Sequence, residues 1–98
     1  MGKQTAIVVV NKDWFNSGGR ILVGNRRSSS TGQVHIVTAA LKDASGPVGV
    51  WLENIKREGF TTDGSELIMD VLIPWSAIVS LGIFEGSEDQ IKVGFAAD

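Results

Sequence analysis

Ninety-eight residues, 43% hydrophobic and 20% charged, describe one domain spanning residues 1–98, with room for a single core and little stability to spare. The absence of cysteine excludes disulfide staples and thiolate metal sites. The net charge of −2 conceals a polarity: residues 1–42 carry Lys3, Lys12, Arg20, Arg26, Arg27 and Lys42 against Asp13 alone, whereas residues 43–98 carry three cations against ten acids. Such a distribution suits an anionic partner for the basic part, or two complementary surfaces that pair head to tail.

The first apolar run, residues 6–10, ends at Asn11-Lys12-Asp13. That is too short for a signal-peptide core and far below the roughly 20 apolar residues of a membrane span. It reads as the first strand of a soluble, cytoplasmic protein with no membrane partner. Asn16-Ser17-Gly18-Gly19 reads as a turn and residues 19–23 as a second strand, which places Trp14 and Phe15 near the bend of a hairpin. Arg26-Arg27-Ser28-Ser29-Ser30-Thr31-Gly32 is polar, basic and without a core-forming residue, the composition of a loop.

Residues 33–41 suit a strand, and residues 38–42 leave a short helical tail open. After the Asp43-Ala44-Ser45-Gly46-Pro47 turn cluster, residues 48–55 alternate. Val48, Val50 and Leu52 share one face, and Gly49, Trp51, Glu53 and Ile55 the other. Asp63-Gly64 supplies hairpin chemistry. Residues 66–74 then place Leu67, Met69, Val71 and Ile73 opposite Glu66, Ile68, Asp70 and Leu72. Both faces of that strand are partly apolar, as in a strand covered on two sides. Pro74 has no N–H for a ladder, so pairing breaks there. Residues 77–84 restart the strand, and residues 90–96 close the chain with Ile91, Val93 and Phe95 on one face.

The Val48-x-Val50-x-Leu52-x-Asn54 pattern, with Val71-x-Ile73-Pro74-x-x-Ala77-Ile78-x-Ser80-Leu81, resembles the Sm-like domains over residues 46–84. The resemblance implies a mainly β fold: a small, strongly bent, SH3-like antiparallel barrel of five to seven strands, with a short 3₁₀ corner before the last one. It also implies homo-oligomeric rings formed edge to edge, which in some branches bind single-stranded RNA; a similar barrel in stringent-starvation-type protease adaptors holds peptides instead. Trp75-Ser76 stand where the bacterial RNA-binding branch has a basic pair, so that motif is not carried over.

Weighed by chemistry, a lone histidine, His35, between apolar neighbours suits packing better than catalysis, and no cofactor, metal or enzyme signature is present. Asp63, Glu66 and Asp70 suit a solvated face better than an acid–base pair. Arg20, Arg26 and Arg27 offer planar phosphate donors and Trp14 a stacking surface. They make single-stranded nucleic acid, RNA before DNA, the expected ligand of a homo-oligomer. Trp51, Leu72, Trp75 and Ile78 are the expected subunit-interface residues. The alternative expectation is a protein-interaction or oligomerisation module with no nucleic-acid role.

Overall fold

The computed structural model describes residues 3–24 and 28–87. Its architecture is mainly β. The strands β1 (Gln4–Asn11), β2 (Ser28–Thr31), β3 (Val34–Asp43), β4 (Gly49–Arg57), β5 (Leu67–Pro74) and β6 (Ile78–Glu85) form one antiparallel sheet. Five of them follow the order β5-β4-β3-β1-β6, and β2 pairs with β3 beside that path. β5 and β6 are thus its two ends, and no ladder joins them among the described residues.

β1 is the first segment of the chain to pair and the most enclosed. Its apolar run of β-branched side chains suits a strand flanked on both edges, and it lies between β3 and β6. Ala6, Val8 and Val10 point into the core and meet Ala39, Val37 and His35 directly across the ladder. Val50 and Leu52 of β4, Val71 and Ile73 of β5, and Ala77 complete that layer. Burying a valine, leucine or isoleucine side chain contributes about 1.5–3 kcal/mol, so this one cluster is the principal source of stability.

The sheet bends by carrying extra residues. Lys42 is unpaired between the Leu41–Leu52 and Asp43–Trp51 pairs. β4 places three steps, Leu52 to Ile55, against two on β5, Val71 to Met69. Val79 is skipped between the Ser80–Val9 and Ile78–Val10 pairs. A bulge of this kind kinks a strand and increases its twist. In β4 it also moves Ile55 onto the core face, opposite to the strict alternation expected from sequence, and Asn54 absorbs the change with φ of 59°.

Two further expectations are corrected. Residues 12–23 are helical, not the second arm of a hairpin: α1 (Lys12–Trp14), a π turn (Phe15–Gly19) and α2 (Arg20–Val23) follow one another. Asn11 caps the start, its Oδ1 accepting from the Trp14 N–H at 2.7 Å. Phe15, Gly19 and Val23 are all buried at four-residue spacing, a helical period that outweighs the Asn16-Ser17-Gly18-Gly19 turn signal. Residues 28–31 of the expected basic loop form β2, paired with residues 34–37. The open alternative at residues 38–42 resolves as strand, because β3 runs unbroken to Asp43. The closing strand expected at residues 90–96 lies outside the described residues.

Between β5 and β6 the chain turns through a single 3₁₀ turn, Trp75–Ala77, entered from Pro74. Gly49 lies opposite Pro74 in the ladder, and a Cβ there would collide with the Ile73 carbonyl. The corner therefore depends on a hydrogen side chain at this position. Gly49→Ala is expected to cost about 3 kcal/mol by overpacking, measured by urea unfolding. Conversely, the buried Thr38 hydroxyl finds no hydrogen-bond partner among the described residues. Thr38→Val should raise stability by about 1 kcal/mol in the same assay.

Candidate functional site

The residues expected to act fall at separate places. Arg20 is exposed at the start of α2, whereas Arg26 and Arg27 lie outside the described residues. Trp14 is half-buried, with its six-membered ring against Gly19, where a Cβ would overlap it. The indole is also one of the partly buried side chains packed against the core.

The interface candidates come closer to one another. Trp51 and Leu72 are directly paired across β4 and β5 on the face opposite the core. Trp75 lies just past the end of that strand pair, its indole Nε1–H donating to the Gly46 carbonyl at 2.9 Å and its backbone N–H to Val48 at 3.0 Å. Trp51 and Trp75 each remain 39% exposed. Ile78 is half-buried and packs against the core from the start of β6.

Sequence reasoning passed over six larger exposures: Val48 at 61%, Ile21 at 60% and Phe60 at 43% and, on the terminal strands, Ile68 of β5 at 56% and Val79 and Ile83 of β6 at 59% and 44%. Only the position of the last three at the ends of the strand order makes them informative, and that order is not visible in a strand-by-strand reading.

Arg57, at the end of β4, was also missed. Its Nε–H donates to the Ile21 carbonyl at 2.9 Å, and its guanidinium lies 5.2 Å from the centre of the exposed Phe60 ring. A cation on the last carbonyls of α2 complements the negative end of that helix turn. Gly24, the next residue after α2, has φ of 67° and approaches so closely that a Cβ would overlap Nη1 of Arg57.

His35 sits on β3 with 4% of its surface exposed, its ring stacked on Phe15 at 3.5 Å and 19°. Burial lowers its pKa from the ordinary 6.5, and the Lys12 ammonium acts in the same direction. The carboxylates are engaged locally. Asp63 accepts from the Ser65 hydroxyl at 2.7 Å and from its N–H at 2.9 Å, which with the Thr61 hydroxyl pulls its pKa down to about 2. Asp70 accepts from Lys42 Nζ at 2.6 Å, and that bond lowers the carboxyl and raises the amine. A carboxylate held ionised in this way is no general acid. Among the described residues no three His, Cys, Asp or Glu side chains gather to hold a metal, and no helix is long and apolar enough to cross a membrane.

No family model, curated protein or solved structure matches this chain.

Removing the Arg57 side chain takes away a charge-assisted hydrogen bond from the α2 end, worth about 1.5 kcal/mol. Arg57→Ala should lower stability by that amount in a denaturant titration. It should also raise amide exchange at residues 20–24 selectively.

Proposed function

We propose that this chain is a self-assembling module of Sm-like, SH3-like build, whose subunits join through β5 of one copy and β6 of the next. One observation carries the reading: the two strands flanking the 3₁₀ corner are eight residues each, and they end the strand order with Ile68 on one and Val79 and Ile83 on the other exposed. Edge strands with apolar side chains and few charges are templates for strand addition. Because the two edges differ, pairing them is head to tail, and a head-to-tail contact closes into a ring when its rotation allows. Trp51, Leu72, Trp75 and Ile78, at the β4–β5 face and the corner, would flank that contact.

The strand order supports the barrel part of the proposal as well. β1 holds both β3 and β6, and the bulges in β3, β4 and β6 supply the curvature a small barrel requires. Nucleic-acid binding through Arg20, Arg26, Arg27 and Trp14 is the weaker reading, since Trp14 is packed against Gly19. No enzymatic role is proposed.

Light scattering behind a sizing column tests the proposal. The wild-type protein should run at a multiple of the monomer mass. Ile68→Lys and Ile83→Lys, each placing a charge on one edge, should shift it to monomer while leaving the circular dichroism unchanged. A wild-type monomer at high protein concentration overturns the reading. An absorbance ratio at 260 and 280 nm raised by bound nucleic acid, lost in Arg20→Ala, would favour the nucleic-acid reading instead.

A further inference from the structure

Three exposed apolar side chains gather where the helical excursion meets the end of β4. Val23 is the residue of α2 that enters the core, which leaves Ile21 and Leu22 outside it at 60% and 39% exposure. Phe60, three residues beyond β4, is 43% exposed. Arg57 stands between them, its Nε–H donating to the Ile21 carbonyl at 2.9 Å and its guanidinium 5.2 Å from the centre of the Phe60 ring. The cluster lies at the other end of β4 from Gly49 and the Pro74 corner.

We propose that this cluster is a two-fold contact with a second copy of the chain, separate from the β5 and β6 edges. An aromatic ring, two aliphatic side chains and an arginine at their centre have the composition of an interface core. The rim decides which partner fits. α2 and residues 56–66 carry three cations, Arg20, Lys56 and Arg57, and three acids, Glu58, Asp63 and Glu66. Asp63 stays ionised far below neutrality, because its bonds from Ser65 and Thr61 hold its pKa at about 2. An anionic surface would meet three acids beside the apolar centre, and a uniformly basic partner three cations. A second copy brings the same balanced rim, so a two-fold axis can set Arg20 of one protomer against Glu58 of the other, and does so twice. Both side chains are exposed, and neither forms an ion pair within the chain among the described residues.

A cluster of this size is small beside the roughly 800 Å² per partner of a stable interface, so a single contact is weak and comes apart on dilution in a sizing column. Where copies are already joined through their edges, the contact recurs on every subunit and the repeats act together. The contact itself does not depend on that joining. It needs only α2, the end of β4 and the residues that follow.

The chain has no cysteine, so single thiols can report the contact. Ile21→Cys and the control Val48→Cys place a thiol at sites 60% and 61% exposed, beside opposite ends of β4. Both proteins also carry Ile83→Lys to disable the edge, and each is treated at high concentration with a short bismaleimide that links neighbouring thiols. The Ile21→Cys protein should form covalent dimer about tenfold faster than the control, since a bound pair raises the local thiol concentration. Adding Phe60→Glu should return it to the control rate. Arg20→Glu should slow linking about two- to fivefold, the effect of an exposed ion pair, and Glu58→Arg in the same chain should restore it. Equal rates for the two thiols overturn the proposal, as does linking that survives Phe60→Glu or that the charge swap fails to restore. A wild-type monomer in light scattering would overturn the edge reading alone, because every sample in the thiol experiment has that edge disabled.

Discussion

Pairing of β1 on both edges is the constraint from which the rest of this fold follows. Strands β3 and β6 are far apart in sequence, and β1 alone brings them into one sheet. A strand that must hydrogen-bond on both sides has no edge left for water, so its sequence is nearly continuous Val, Ile and Ala. The Thr5 hydroxyl fits the same demand, donating to the Gly86 carbonyl at 2.6 Å and pinning the end of β6 beside the start of β1. With both ladders in place, the corner at Trp75–Ala77 has to carry the chain from one end of the strand order to the other in three residues.

That geometry also redistributes charge. Along the chain, basic residues precede acidic ones, which reads as two opposed surfaces. In space the two halves interleave. Lys42 of the basic part bonds Asp70 of the acidic part across β4, and the start of β1 lies beside the acidic end of β6, where Gln4 pairs with Glu85. The sequence polarity is in part neutralised within the folded chain itself.

The features legible in sequence were those with a short period and an unambiguous stop. β5 alternates cleanly and ends at Pro74, so its faces and its terminus follow directly from residue type. β6 is marked by its restart after the same proline. The excursion over residues 12–23 was hidden for a physical reason: its buried positions are Phe15, Gly19 and Val23, and a glycine at the middle position signals a turn when read locally. The Trp14 ring lies where a Cβ at Gly19 would sit, a contact that asks for glycine inside the helix and that no propensity describes. The candidate site was less legible than the fold. Trp14 is a conspicuous aromatic in the sequence and a packing residue in space, whereas Arg57 and Ile68 are unremarkable until the topology gives them neighbours.

The bulge at Asn54 separates two properties that strands usually encode together. Val50 and Leu52 before it, and Ile55 and Arg57 after it, all lie on the inner side of β4, yet they fall on even and then odd positions. The residue gained between Leu52 and Ile55 shifts the phase of the strand by one. Deleting Asn54 would leave a regular alternating strand with every flanking side chain on its present side, whereas a one-residue insertion elsewhere in β4 would turn half of it inside out. Curvature in this strand is thus an addition to its inside–outside pattern, and the two can change independently as sequences diverge.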